Sequence, residues 1–250
     1  MITLNDHIET FKEFVTNLPN LIQNPNAGRA LGPAIKAATK LLQSSGGRTT
    51  CFIGGLPTCG FGKLENRNDR NVVENGRIPN LHSVKDVYKQ IALECNGNQQ
   101  SSIQMGIDTF FIGGQYSDIS TVSNVTRWSS GSTFHYPGLH KSHDQILFNK
   151  FRTDLDRYFS RKLGFEAVLR IRCTQGIKIS QFHGNAFVRG EDILSLANVS
   201  PDSGFAVNLE FEDDVERYPF VSFQAALLYT NSKGERRVRV HTMSLPVAKK

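Results

Sequence analysis

Two hydrophobic periods divide the chain. Up to residue 162, short apolar runs alternate with stretches of helical period; from Leu163 onward, apolar residues recur at every second position. Asn5 or Asp6 can cap a first helix reaching about Gln23, with Ile8, Phe11, Phe14, Val15 and Leu18 on one stripe and Pro19 ending or kinking it. Residues 29–43 read as a second helix, closed by Ser44-Ser45-Gly46-Gly47. Arg48 to Gly54, Ile107 to Ile112 and Ser132 to Tyr136 read as buried strands. Helices are expected from Ser83 to about Glu94, from Asp118 toward Trp128, and from His143 to Lys162, with a polar loop over 57–82. This alternation predicts an α/β layer with a mostly parallel sheet over residues 1–162. Period-2 strands over 164–174, 177–188, 204–212, 219–230 and 236–245 predict an antiparallel β-sandwich over residues 163–250.

Arginines stand out within those later strands. In Glu166-Ala-Val-Leu-Arg170-Ile-Arg172-Cys173, Arg170 and Arg172 share one face while Leu169, Ile171 and Cys173 share the other. Arg237 and Arg239 repeat the alternation in Glu235-Arg236-Arg237-Val-Arg239-Val-His241. A row of guanidinium forks suits carboxylates or phosphates. A solvated strand face with edge-protecting charges is the plainer reading.

Composition narrows the classes. The 250 residues are 39% hydrophobic and 21% charged, as in a folded globular protein. The net charge of +6 is uneven: residues 1–162 hold 18 Lys/Arg against 13 Asp/Glu, the remainder 11 against 10. That bias suits peripheral contact with an anionic membrane, and it falls short of a nucleic-acid footprint. Cys51, Cys59, Cys95 and Cys173 are scattered, without C-x-x-C, which argues against a zinc site or a disulfide framework. The N-terminus has no signal-sequence pattern and no apolar run reaches membrane-spanning length, so the sequons at Asn124 and Asn198 are expected to be unused.

Several motifs resemble chemical sites and fail in detail. Gly54-Gly55-Leu-Pro-Thr-Cys-Gly60-Phe-Gly62-Lys63 resembles a phosphate loop, but Pro57 occupies its first glycine position and Leu64 its hydroxyl position. Asp118-Ile-Ser120-Thr-Val122-Ser resembles an adhesion-type metal motif with valine in place of its second serine, so Asp118 is read as a helix cap. His135, His140 and His143 fall in a loop without an adjacent acidic or cysteine ligand. Glu210, Glu212, Asp213, Asp214 and Glu216 read as a solvated turn rather than a calcium loop. No nucleophile–base pair is visible, and no enzyme activity is expected.

The stretch Arg161-Lys-Leu-Gly-Phe-Glu-Ala-Val-Leu-Arg-Ile-Arg-Cys-Thr-Gln-Gly176 closely resembles the cargo-adaptor subunit of the COPII vesicle coat, the Sec-twenty-four family in its animal subgroup. So do Phe182-His-Gly-Asn-Ala-Phe-Val-Arg189, Asp192-Ile-Leu-Ser-Leu-Ala-Asn198, Pro201-Asp-Ser-Gly-Phe-Ala-Val207 and the run from Phe223 to Thr242. Upstream, Leu31-Gly-Pro-Ala-Ile-Lys-Ala-Ala38 and Gly114-Gln-Tyr-Ser-Asp118 also fit.

The resemblance implies the C-terminal part of a von Willebrand factor A-like trunk, incomplete, over 1–162, and a β-sandwich over 163–250 that also lacks strand material. It implies a coat subunit that selects cargo at the endoplasmic reticulum for transport to the Golgi, peripheral on exit-site membranes and vesicles. The implied partners are the Sec-twenty-three coat subunit through the trunk, the Sar GTPase indirectly, and acidic sorting signals of the D-x-E and L-x-x-L-E kinds on cargo tails. Arg170 and Arg172 fall on the family's carboxylate-binding pair, and Leu228 on its apolar wall. Further arginines of that pocket, and the family's zinc ribbon, belong to segments outside this sequence, so no cofactor is expected here. Two alternatives stand beside this: a degenerate nucleotide-binding or hydrolase-like α/β domain using the 54–63 loop, and a structural remnant that binds nothing.

Overall fold

The computed structural model describes residues 3–21, 28–67, 82–96, 104–139 and 144–248. Its first part is built on three parallel strands, β1 (Gly47–Ile53), β2 (Met105–Gly113) and β3 (Thr133–Pro137), in that spatial order. β2 is central and buried on both faces, which is why its apolar and polar residues do not alternate. Ile107 and Phe111 join Ile53 on one face, packed by Ile35 of α2 (Leu31–Leu42), Tyr88 and Ile91 of α3 (Val87–Cys95), Val122 of α4 (Ile119–Val122) and Val125 of α5 (Asn124–Trp128). On the other face Phe110 stacks on Phe134 and meets Tyr158 of α6 (Gln145–Ser160) edge-on, with centroids 5.0 Å apart. Asp144 caps α6 by accepting from the Leu147 amide at 2.8 Å. The result is helices on both faces of a parallel sheet, as the alternation predicts.

Asp108 is the one carboxylate of β2, and it is buried. It pairs with Arg48 of β1, accepts from the Tyr158 hydroxyl at 2.8 Å and from the Ser132 amide at 2.5 Å. One side chain thereby ties together β1, β2, the start of β3 and α6. α1 (Ile8–Leu21) forms with Pro19 inside its last turn, and its apolar stripe stays exposed.

The second part holds a five-stranded antiparallel sheet in the order β10-β9-β4-β7-β6 and a two-stranded sheet, β5-β8. These strands are β4 (Gly164–Cys173), β5 (Ile177–His183), β6 (Phe187–Gly190), β7 (Ile193–Val199), β8 (Ala206–Phe211), β9 (Phe220–Asn231) and β10 (Arg236–Pro246). Leu194 and Leu196 of β7, Ala167 and Leu169 of β4, and Leu227 and Tyr229 of β9 pack with Phe182 and Phe205 from the small sheet's side.

The expected single strand over 177–188 is in fact two, because the chain changes sheets at Gly184. That residue has φ +129°, and a Cβ there would lie 2.8 Å from the Phe205 ring. β7 is absent from the expected strands. Its residues 194–198 are buried consecutively, since one face joins the sandwich core and the other meets the first sheet. Gln104 donates to Ser195 at 2.7 Å, Asn198 to the Gly47 carbonyl at 3.1 Å, and Ala197 N–H to Ser130 at 3.3 Å. A strand covered on both sides has no polar face to alternate with.

The helix expected from Asp118 is two short ones, α4 and α5, broken at Ser123. Asp118 is not a side-chain cap. Its backbone is left-handed, φ 48°, and its carboxylate takes two bonds from Arg67, 3.0 Å from Nε and 2.7 Å from Nη2. Of the three loop histidines, His135 is exposed on β3, while His140 and His143 lie outside the described residues. Most of the expected 57–82 loop, residues 68–81, lies outside them too.

Candidate functional site

β4 carries the arginine pair, and the strand register decides what surrounds it. Arg170 stands opposite Ala226 of β9, Arg172 opposite Gln224, and Val168 opposite Leu228. Directly opposed residues share a sheet face. Arg170, Arg172 and Leu228 therefore project from one face, with Leu228 one cross-strand step from Arg170. Val168 also stands opposite Ser195 of β7. That face is the one which, at β7, packs on the parallel sheet through Ser195 and Ala197. The arginine pair thus sits beside the seam between the two parts of the chain.

A bulge sets this geometry. Phe165 pairs with Thr230 and Val168 with Leu228, so Glu166 and Ala167 together oppose Tyr229, and Glu166 takes φ 48°. The extra residue shifts the parity of β4 by one before the arginines are reached.

The two arginines differ electrostatically. Arg170 donates Nε to Asp192 at 2.6 Å, with both side chains partly exposed. Among the described residues, Arg172 has no hydrogen-bond or ion-pair partner, although it lines a cleft of about 670 Å³ that runs toward β5 and β8. Glu191, Asp192, Glu210 and Glu212 border the same cleft, and Lys178 pairs with Glu212 at 3.0 Å. One end of the arginine face is therefore acidic, so a ligand carboxylate docking there meets repulsion as well as guanidinium.

Arg237 and Arg239 do not extend this row. Arg239 opposes Leu227, and Leu227 opposes Leu169; Arg237 opposes Tyr229. Both arginines project from the opposite face. Arg237 grips Glu235 at 2.5 Å, and Arg239 donates Nε to the Tyr229 hydroxyl at 3.2 Å.

The other sequence motifs supply no competing centre. The 54–63 loop is tied down by Tyr88, which donates to the Gly62 carbonyl at 2.9 Å, and Leu64, at the hydroxyl position of the phosphate-loop pattern, is buried in the core. Among the described residues no group of three His, Cys, Asp or Glu side chains could hold a metal ion. Burial together with the Asp108 charge pushes the Cys51 thiol up to about 12, and burial pushes Cys95 up to about 11. Both are weak nucleophiles at neutral pH. Among the described residues no helix is long and apolar enough to cross a membrane.

The parallel α/β layer and the antiparallel sandwich coincide with the two domains the chain matches. Residues 1–159 match the Sec23/Sec24 trunk domain and residues 164–248 the Sec23/Sec24 beta-sandwich domain. The chain belongs to the Sec23/Sec24 family, and the relatives it resembles are of the Sec24 kind. It is 44% identical over 248 residues to protein transport protein Sec24A of Homo sapiens, covering 99% of this chain and 22% of that protein. It is 44% identical to Sec24B of Homo sapiens over 249 residues, which is 19% of that protein, and 38% identical to sec24 of Schizosaccharomyces pombe over 224 residues, 88% of this chain and 23% of that one. The solved structure of the human COPII-coat protein Sec24c superposes with a TM-score of 0.86 at 26% identity, over 98% of this chain and 33% of that one. The chain spans about a fifth of the length of the curated relatives it matches.

Proposed function

We propose that this chain is the trunk-and-sandwich part of a COPII coat subunit and that it selects cargo by binding acidic sorting signals, without catalysis. The carrying observation is the register that sets Leu228 on the same face as Arg170 and Arg172 and beside them. Two guanidinium forks with one aliphatic wall suit a ligand of two carboxylates flanking an apolar atom group, as in a D-x-E tail. Arg172 supplies an uncommitted fork. Arg170, held at Nε by Asp192, presents its terminal amino groups in a fixed direction. The trunk part is assigned to the coat partner of the Sec23 type, and the basic bias of residues 1–162 to peripheral contact with anionic exit-site membrane. No step of this reading uses a metal.

The test is fluorescence anisotropy of a labelled D-x-E tail peptide titrated with the wild-type chain and with Arg170→Ala/Arg172→Ala. Charge-assisted bonds of this kind contribute roughly 1.5–3 kcal/mol each, so the double variant should bind well over tenfold more weakly. Equal binding by both proteins, with both folded by circular dichroism, would reject the assignment.

A further inference from the structure

The tandem Arg236-Arg237 sends two neighbouring guanidiniums to opposite faces of β10. Arg236 opposes Thr230 of β9, and Val238 opposes Leu228. Opposed residues share a face, and so do residues two apart on one strand. Arg236 therefore projects from the face of Leu228, Arg170 and Arg172, turned away from the sandwich core where Leu227 and Tyr229 pack. Leu228 lies midway between the two ends of this face. Arg170 is one strand across and two residues along in one direction, and Arg236 is the same in the other. At ~3.3 Å per residue and ~4.8 Å between strands, the Cα atoms of Arg170 and Arg236 stand about 16 Å apart. Val238, beside Leu228, is 63% exposed and extends the apolar strip toward Arg236.

The bulge in β4 anchors Arg236. Glu166 stands outside both β4 ladders, and its carbonyl accepts from Arg236 Nη1 at 2.9 Å. The same Nη1 donates to the Thr230 hydroxyl at 2.8 Å. Nε and Nη2 make no hydrogen bond among the described residues, and the side chain is 43% exposed. The carboxylate nearest Nη1, that of Glu166, is 4.0 Å away, whereas Asp192 holds Arg170 at 2.6 Å. One corner of the Arg236 guanidinium is thus fixed, and its Nε–Nη2 edge stays open in the geometry that receives a carboxylate.

We infer that Arg236 is a specificity-determining residue of the signal-binding face, taking a second carboxylate of an extended peptide on the far side of an aliphatic residue seated on Leu228. The inference rests on the reading of Arg170 and Arg172 as the signal-binding pair, and it adds a pattern to their ligand. An extended chain advances ~3.3 Å per residue, so a span of about 16 Å corresponds to roughly five residues. The favoured ligand is acid–aliphatic–acid, with the aliphatic residue central and the outer acids about four or five positions apart. A peptide with acids on one side alone occupies Arg170 and Arg172 and leaves Arg236 to water.

The test is a cycle of two peptides and two proteins, read by fluorescence anisotropy on the full chain. The labelled peptides are Asp-Ala-Glu-Ala-Leu-Ala-Glu and Asp-Ala-Glu-Ala-Leu-Ala-Gln. Wild type should prefer the first by about fivefold, the upper range for a partly exposed charge pair, and Arg236→Gln should bind both alike. A residue that only braced the bulge would weaken both peptides equally and leave the preference standing, which overturns the inference. Absence of the preference in wild type also overturns it. Arg237→Gln, on the other face, should keep the preference, and its loss there counts against the assignment. Val238→Glu is the second variant. It sets a carboxylate beside Arg236 on the same face without touching the bulge, and should abolish the preference; a preference that survives overturns the inference. All the substituted positions are exposed, and circular dichroism and the melting temperature check each fold. Failure of the underlying reading looks different: Arg170→Ala/Arg172→Ala then binds both peptides as tightly as wild type, and the inference falls with it.

Discussion

Asp192→Asn should tighten binding of a D-x-E peptide, opposite in sign to the usual effect of removing an ion-pair partner. In the free protein the Asp192 carboxylate holds Arg170 Nε at 2.6 Å and shares the cleft edge with Arg172. An incoming carboxylate must displace or tolerate it. For two carboxylates about 5 Å apart, an effective dielectric between ~40 and ~80 gives about 0.8–1.7 kcal/mol of repulsion. Asp192 and Arg170 remain 34% and 45% exposed, so solvent screening favours the lower half of that range, about 1 kcal/mol. This corresponds to roughly fivefold tighter binding. Asparagine keeps the shape and one acceptor, so Arg170 is not released into disorder, and loss of an exposed pair of this kind costs about 0–1 kcal/mol of stability. The assay is the peptide anisotropy titration, repeated at low salt and at about 0.15 M, where the Debye length of about 8 Å should shrink the gain. Adding Arg170→Ala/Arg172→Ala to Asp192→Asn should remove it. Unchanged or weaker binding by Asp192→Asn, with the fold intact, refutes the idea that Arg170 and Arg172 receive the acidic ligand.

Other expectations concern the scaffold that holds the site. Asp108→Ala strips Arg48, Tyr158 and the Ser132 amide of their shared partner and leaves Arg48 largely enclosed, so urea denaturation should show a loss of about 3–5 kcal/mol. Gly164→Ala forces a Cβ against Tyr229 and Val199 and should lower stability by about 1–3 kcal/mol in the same measurement. The Arg157 and Arg161 guanidiniums hold the Asp202 carboxyl down to about 2, below its ordinary value of about 3.9. A depressed folded-state value means the bridge contributes fully above about pH 4 and is lost as pH falls toward about 2, so Asp202→Asn should flatten the melting-temperature profile in that window. Cys51 and Cys95, pushed to about 12 and about 11, should resist iodoacetamide at neutral pH in the folded chain and label once it is unfolded, as read by peptide mass spectrometry.

Local period carried much of this structure, and long-range register carried the rest. The apolar runs of β1, β2 and β3 and the helical stripes between them were legible because burial on one or both faces is written into adjacent residues. β7 was not, because its covering on the outer side comes from Gln104, Ser130 and Gly47, distant in sequence. Likewise Asp118 looked like a cap because its true partner, Arg67, lies 51 residues away. The arginine face shows the same division more sharply. Alternation within β4 places Arg170 with Arg172, and alternation within β10 places Arg237 with Arg239. Whether the two pairs share a face depends on how β10, β9 and β4 are aligned, and a one-residue change in that alignment exchanges the faces. The observed register opposes Arg239 to Leu227 and Arg170 to Ala226, so the pairs point apart and Leu228 falls to the first of them. The four arginines, whose relation across strands the sequence leaves open, thus form two basic surfaces separated by the thickness of a sheet. A single acidic ligand cannot span both, so Arg170→Ala/Arg172→Ala should weaken binding of a D-x-E peptide while Arg237→Ala/Arg239→Ala leaves it bound. If one peptide lost affinity equally to both in a folded protein, the register itself would have to be wrong.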